Sequence, residues 1–311
     1  MPSLLDFSQF ERQLAQVDAP LPFIFDKVHL LGNMRLVYSL FKPVEPVQDL
    51  LVFYHGGGAH MGAGYQFLAS ALVRRAPVAV CLVDLRGHGL SSGPRGHTET
   101  KEEVWRDVER VVTSLHTKMP NVRIHLGGHS SGAGMLLNYR TMFAHNLSIS
   151  SLVFLAPEFG PYAPVRRVDE QGKTAAFSRP RRWAFVINGI TRGRFCGDMP
   201  AIDLSYGELD EKKRDEFVSH YTVNMALAIT PLKPAEQLAR LDVRTTIIAA
   251  RCDELFCPEK MEVFVKTHGA PCVHYEILEE ATHLDIMLHS CDRVVSAMGM
   301  SVNATSPMEA L

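Results

Sequence analysis

The sequence lacks the features that mark several large classes of protein. Its formal net charge is only −2, so we expect no general electrostatic attraction to nucleic acid. No apolar run approaches the roughly 18–20 residues that a membrane-spanning helix requires. The N-terminal part contains Asp6, Glu11 and Asp18 and has no apolar core of a secretory signal. We therefore expect a cytoplasmic globular protein that has no nucleic-acid partner.

Paired cysteines and phosphate-binding glycine patterns are also missing. The sequence has six cysteines but no C-x-x-C pair, so we expect neither a disulfide framework nor a zinc site. It contains no G-x-x-x-x-G-K-[ST] and no G-x-G-x-x-G followed by a ribose-binding acid, which disfavours a nucleotide site. We expect no metal and no organic cofactor.

Short β-rich runs alternate with helical stretches along the chain. Runs 28–31 and 35–41 are joined through Gly32 and Asn33, which predicts an antiparallel hairpin. Other runs, with few polar interruptions, lie at 50–54, 78–85, 123–126, 151–155, 245–250 and 275–278. Residues 102–116 place apolar side chains on one helical stripe. The pattern predicts an α/β fold with a mostly parallel, doubly wound sheet, in which ligands bind beyond the carboxyl ends of the strands.

One segment interrupts this alternation. Between 157 and about 234 no run pairs obviously with the other strands, and the first half of the segment is rich in arginine. Because this segment separates one sheet strand from the next, we expect it to be an inserted cap over the site. The domain organisation would then be a first core part at 1–156, the cap at 157–234 and a second core part at 235–311.

The expected cap offers two kinds of contact. Trp183 and Phe185 lie in an apolar stretch, and we expect them to hold the apolar part of a substrate. Arg181 and Arg182 would favour an anionic group on the substrate. The alternative is that these arginines only form a solvated, charged surface. A transient contact of the cap with a membrane surface is a further expectation, and the oligomeric state is left open.

The motif G-x-S-x-G occurs twice. GHSSG at 128–132 lies between a β-rich run and a helical run, which is the strand–turn–helix context of a nucleophile elbow. GLSSG at 89–93 is followed by Pro94, Arg95 and Gly96, which do not open a helix, so that copy is interpreted as a loop. Ser130 is therefore the candidate nucleophile and Ser91 is not.

A serine nucleophile needs a base and a group that orients the base. His283 follows the run 275–278, and Asp253 follows the run 245–250, so both lie at carboxyl ends of expected strands. The chain order of Ser130, Asp253 and His283 is the order found in hydrolases of this architecture. Glu254, directly after Asp253, is the alternative third member.

A site for acyl transfer also needs hydrogen-bond donors for the oxyanion. HGGG at 55–58 directly follows the run 50–54, and its glycines permit a close approach of backbone to the elbow. The expected donors are the N–H groups of Gly57 and of Ser131, the residue after the nucleophile.

These motifs together resemble a known family. HGGG at 55–58, DLRGHGLS at 84–91 and GHSSG at 128–132, with Asp253 and His283, are similar to the monoacylglycerol lipase and lysophospholipase branch of the α/β-hydrolases. The resemblance covers roughly 49–155 and 243–288. It implies an α/β-hydrolase fold with nucleophile Ser130, acid Asp253, base His283 and a supporting loop at 84–91. In this chain Ala59 precedes His60 where family members often have an acidic residue before histidine.

The resemblance and the candidate residues together predict a serine hydrolase that acts in two acyl-transfer steps. Its expected substrate is a small or single-chain carboxylic ester, such as a monoacylglycerol or a lysophospholipid. Two alternatives remain open. One is cleavage of a thioester, an amide or an activated C–C bond by the same residues, and the other is ligand binding with little turnover.

Overall fold

The structure, a computed structural model, describes residues 5–30, 33–143, 147–168, 177–207, 209 and 211–301. Residues 31 and 32 of the expected hairpin, and parts of the expected domains, lie outside these ranges. The strands are β1 Ile24–His29, β2 Arg35–Phe41, β3 Asp49–Tyr54, β4 Val78–Val83, β5 Arg123–His129, β6 Ser151–Leu155, β7 Ser178–Pro180, β8 Pro200–Leu204, β9 His220–Thr222, β10 Thr245–Ala250 and β11 Val273–Leu278.

Helices follow most of the strands. They are α1 Phe7–Leu14, α2 Tyr65–Arg75, α3 Lys101–Lys118, α4 Ser131–Met142, α5 Arg182–Ile190, α6 Glu211–Arg214, α7 Val223–Ile229, α8 Pro234–Ala239, α9 Pro258–His268, α10 Ile286–His289 and α11 Cys291–Ala297. The stripe expected at 102–116 is confirmed, because α3 buries Val104, Val108, Val111 and Leu115 against the sheet and neighbouring helices.

The main sheet has eight strands in the order β1-β2-β4-β3-β5-β6-β10-β11. The pairs from β4 through β11 are parallel, whereas β1 and β2 add an antiparallel edge. Strands β3, β4, β6 and β10 are buried along their whole length, as their largely apolar runs predict. Apolar clusters cover both faces of the sheet, which confirms the doubly wound α/β architecture.

The expected hairpin is present, with a different first strand. Ile24 lies opposite Leu40 and His29 opposite Arg35, so β1 begins four residues earlier than the run at 28–31 and ends at His29. The side chains of β1 are exposed or half-buried along the strand, because it forms the edge of the sheet. An edge strand needs no continuous apolar run. For that reason the sequence pattern did not predict the N-terminal half of β1.

The segment between β6 and β10 contains a second, small sheet. Strands β7, β8 and β9 pair antiparallel with one another and with no strand of the main sheet. Helix α5 packs on this sheet through Ala184, and Asn188, one helical turn later, is buried and donates a hydrogen bond to the carbonyl of Phe195. None of the helices in the described ranges is long and apolar enough to cross a membrane.

Candidate active site

The turn after β5 presents Ser130 at the carboxyl edge of the sheet. Ser130 has φ +52° and ψ −116°, a strained conformation for a residue with a side chain. Two glycines make this turn possible: a Cβ on Gly128 would lie 2.5 Å from the carbonyl carbon of Gly132, and one on Gly132 would lie 2.5 Å from the Tyr54 oxygen. The motif at 128–132 therefore forms a tight strand–turn–helix elbow, and helix α4 starts directly after Ser130.

The structure brings His283 and Asp253 to Ser130. Nε2 of His283 lies 3.1 Å from Ser130 Oγ, and Nδ1 of the same ring lies 2.8 Å from Asp253 Oδ2. All three side chains are almost fully buried. With a proton on Nδ1 donated to Asp253, Nε2 is free to accept the hydroxyl proton of Ser130.

The two adjacent acids make different contacts. Oδ1 of Asp253 accepts hydrogen bonds from the backbone N–H groups of Leu255 and Phe256, each at 2.8 Å, which fixes the carboxylate and aims Oδ2 at the ring. Glu254 instead accepts the backbone N–H of His283 at 3.0 Å. Thus Asp253 contacts the imidazole, while Glu254 contacts only the main chain of the histidine.

Opposing effects act on the pKa of His283. Burial disfavours the charged ring and lowers the pKa, but the neighbouring carboxylates of Asp253, Glu254 and Glu158 favour it and outweigh burial. The net result is a pKa raised above the usual value for histidine. Below that pKa the ring is protonated and cannot accept a proton from Ser130.

The glycine loop at 55–58 lies beside the elbow. A Cβ added to Gly57 would come within 2.9 Å of Ser131 Oγ, so the backbone of the loop passes directly over the start of α4. The N–H of Ser131 is in the first turn of α4, where no intrahelical acceptor exists. The two residues expected to donate to an oxyanion are therefore adjacent in space.

Two tyrosines that the sequence analysis missed hold this loop. Tyr65 accepts the N–H of Gly56 at 2.7 Å and donates to Nδ1 of His129, whose Nε2 donates to the carbonyl of His283. Burial lowers the pKa of His129 to about 3, so this ring is neutral and can accept a hydrogen bond at Nδ1 while it donates one from Nε2. The network joins the glycine loop, the elbow and the histidine loop.

The second tyrosine comes from the small sheet. The hydroxyl of Tyr221 accepts the N–H of Gly58 and donates to Nε2 of His88, which in turn donates from Nδ1 to the carbonyl of Arg86. Burial lowers the pKa of His88 to about 4, so it is a neutral acceptor for Tyr221. No sequence signal relates Tyr221 to the glycine loop, because only the tertiary fold brings them together.

Ser91, in the other copy of the motif, has a structural role, because its side chain binds two backbone groups. Its Oγ accepts the N–H of Val37 at 2.8 Å and donates to the carbonyl of Asp84 at 2.7 Å. Asp84 in turn accepts the N–H groups of Met61 and Leu90, and burial raises its pKa to about 6. The loop at 84–91 thus supports the segment that follows the glycine loop.

A small cavity of about 30 Å³ opens onto Ser130 and His283. Apart from the elbow and the glycine loop with Tyr65 beside it, its walls are mainly apolar and come from the residue after the glycine loop, the N-terminal segment, the inserted segment and the loop after His283. These wall residues are Leu5, Phe7, Ala59, Phe177, Tyr206, Phe217 and Leu284.

The residues expected to contact substrate from the cap do not line this cavity. Trp183 is 52% exposed, because the buried positions of α5 are Ala184 and Asn188, and Phe185 is half-buried against the small sheet. Arg181 pairs with Asp203 at the surface, and Arg182 is exposed at the start of α5. In the described ranges, no group of three or more His, Cys, Asp or Glu side chains could hold a metal ion.

Comparison with known proteins agrees with this architecture. Residues 45–287 match the family Hydrolase_4, described as serine aminopeptidase, S33. The chain is 26% identical to monoglyceride lipase of Rattus norvegicus over 228 residues, which cover 71% of this chain and 70% of that protein. It is also 26% identical over 226 residues to an uncharacterized abhydrolase domain-containing protein of Dictyostelium discoideum, of which it spans only 22%.

A solved structure shows the same fold. The crystal structure of a soluble variant of monoglyceride lipase from Saccharomyces cerevisiae, in complex with a substrate analog, aligns with a TM-score of 0.64. The alignment covers 91% of this chain and 94% of that chain at 16% sequence identity. Because the family match extends over 45–287, which is most of the 311 residues, the chain belongs to Hydrolase_4 and is a serine hydrolase of the α/β-hydrolase family.

Proposed function

We propose that this protein is a carboxylester hydrolase in which Ser130 is the nucleophile, His283 the general base and Asp253 the residue that orients the base. The observation that carries the proposal is the continuous hydrogen-bonded chain from Ser130 Oγ through His283 to Asp253, at 3.1 Å and 2.8 Å. A serine hydroxyl becomes an effective nucleophile only when such a base accepts its proton.

The first step forms an acyl-enzyme. Nε2 of His283 takes the proton of Ser130 as Oγ attacks the ester carbonyl, and the carbonyl oxygen becomes an oxyanion. We assign the N–H groups of Gly57 and Ser131 as the donors that stabilise this charge, because Ser131 directly follows the nucleophile and Gly57 lies against Ser131. Collapse of the tetrahedral intermediate then breaks the bond between the acyl carbon and the alcohol oxygen, and protonated His283 gives its proton to that oxygen as the alcohol leaves.

The second step releases the acid. His283, neutral again, takes a proton from a water molecule that attacks the acyl-enzyme, and the same two N–H groups hold the second oxyanion. Collapse of this intermediate breaks the bond to Oγ, and the proton on His283 returns to Ser130. Asp253 stabilises the imidazolium in both steps without itself being protonated.

The substrate class follows from the wall of the cavity and from the relatives. The cavity at Ser130 is lined by apolar and aromatic side chains, among them Phe177, Tyr206 and Phe217, which favour an apolar acyl group. Two of the similar proteins are named monoglyceride lipases. We therefore propose a small or single-chain ester, such as a monoacylglycerol or lysophospholipid, as the substrate.

Hydrolysis of matched substrates tests the proposal. p-Nitrophenyl acetate and butyrate are compared with the corresponding thioester and anilide, using the native protein and Ser130→Ala. We expect the oxygen esters to be cleaved best, and Ser130→Ala to lose about 10³-fold or more in kcat. Preference for the thioester or the anilide would assign the same residues to a different bond, and ligand binding without turnover of any substrate would contradict the proposal.

We also propose that the insertion, at 157–234, is a cap that contacts lipid surfaces through α5. The outward face of this helix exposes Trp183, Val186 and Ile190, with exposed arginines at its start and just beyond its end. An apolar face beside basic side chains suits an anionic bilayer. Co-sedimentation with anionic vesicles should fall for Trp183→Ala, and equal binding of the variant and the native protein would contradict this role.

A further inference from the structure

We propose that Leu5 and Phe7, from the N-terminal segment, form the end wall of the acyl pocket and restrict the enzyme to short acyl groups. This inference rests on the proposed ester hydrolysis and narrows its substrate class to esters of short acids, which excludes long-chain monoacylglycerols and lysophospholipids. It assigns a role in specificity to residues that lie more than a hundred positions before the nucleophile and outside both the core motifs and the inserted segment.

The first observation is the size of the cavity. Sites for drug-sized ligands have volumes of roughly 300–1,000 Å³, whereas the cavity at Ser130 has about 30 Å³, enough for only one or two water molecules. The acyl group lies at Ser130 Oγ in both steps of the reaction and is bonded to it in the acyl-enzyme, so this cavity must hold it. Any chain longer than a few carbons would therefore collide with the wall.

The second observation is what fills the space. Phe7 is at the centre of an aromatic group from the inserted segment, with ring centroids 5.6 Å from Tyr206, 6.1 Å from Phe217 and 6.4 Å from Phe177. Both Leu5 and Phe7 are buried, and both line the cavity together with these rings. The N-terminal segment thus supplies the side chains that meet the insertion above Ser130.

The third observation is that α1 is held by contacts other than Phe7. Asp6 caps the helix by accepting the N–H of Gln9 at 2.7 Å, and Gln13 donates to Asp285 at 3.0 Å. Phe10 fills the space beside Gly64, where an added Cβ would lie 2.7 Å from its ring. Truncating Phe7 should therefore enlarge the cavity while the helix stays in place.

The test is a chain-length series on Phe7→Ala, with Phe10→Ala as the matched control. Both variants remove a buried phenyl ring from the same helix, but only Phe7 lines the cavity. We measure kcat/KM for p-nitrophenyl acetate and octanoate. Each methylene newly accommodated is worth about fourfold, so room for about four of them should raise the octanoate-to-acetate ratio of Phe7→Ala by roughly 10²-fold. Phe10→Ala should change this ratio by less than about threefold.

The other outcomes separate the inference from the function on which it rests. An unchanged ratio in Phe7→Ala, or a native enzyme that already prefers octanoate, overturns the inference while ester hydrolysis stands. An equal rise in Phe10→Ala also overturns it, since displacement of the whole helix would then control access. Failure of the native protein to cleave any ester would instead refute the proposed function. If Phe7→Ala does not fold, Leu5→Ala, which precedes the helix, must show the same direction of change.

Discussion

Replacing Asp253 by asparagine tests the chemistry of the site without removing a hydrogen-bonding side chain. Oδ1 of Asp253 accepts two backbone N–H groups, so the asparagine must keep its carbonyl oxygen there and point its NH₂ group at Nδ1 of His283. Two donors would then face each other. The imidazole relieves this by moving its proton to Nε2, and in that tautomer it cannot accept the proton of Ser130.

The expected loss in kcat is about 10⁴-fold, which corresponds to roughly 5.5 kcal/mol of transition-state stabilisation. KM should change little, because the backbone contacts of the loop and the walls of the cavity are kept. Steady-state hydrolysis of p-nitrophenyl acetate, with circular dichroism to verify folding, measures both quantities.

Glu254→Gln is the matched control. Its amide oxygen can still accept the N–H of His283, so the variant loses a charge but no contact to the ring. We expect its kcat to fall by less than about tenfold. A 10⁴-fold loss in Glu254→Gln together with a nearly active Asp253→Asn would refute the reasoning and make Glu254 the third member.

Three further predictions follow from the surroundings of the site. The acidic limb of kcat/KM should have its midpoint above about 6.5, the ordinary pKa of histidine, because carboxylates raise the pKa of His283; Glu254→Gln should lower that pKa and move the limb to lower pH. Tyr65→Phe should lower kcat by about 10–100-fold with little change in thermal stability, since it removes the donor to His129 and the acceptor for the glycine loop. Ser91→Ala should cost about 1–3 kcal/mol of unfolding free energy in urea titrations, because it leaves buried backbone groups unpaired, yet keep full activity per folded molecule.

The sheet and the positions of the candidate residues could be predicted because each rests on local sequence. Apolar runs such as Ser151–Leu155 and Thr245–Ala250 coincide with strands β6 and β10. The parallel arrangement then places the ends of those strands at one edge, and so brings Ser130, Asp253 and His283 together. Local patterning and chain order suffice for these features.

Other features depend on tertiary packing and left no local signal. Tyr221 is separated from Gly58 by 163 positions, and nothing in its neighbourhood distinguishes it from a buried strand tyrosine. The orientation of α5 could not be predicted from the sequence either. Its sequence is apolar on nearly every side, and only the packing of Ala184 on the small sheet and the hydrogen bond of buried Asn188 to Phe195 decide that Trp183 faces outward.

Covalent labelling of the native protein tests the central claim most directly. A fluorophosphonate reacts with a serine hydroxyl only when a base activates it, and peptide mass spectrometry identifies the modified residue. We expect a single adduct on Ser130, abolished in Ser130→Ala and retained in Ser91→Ala and Ser131→Ala. An adduct on Ser91 or Ser131, or full labelling of Ser130→Ala, would contradict the assignment of Ser130 as the nucleophile.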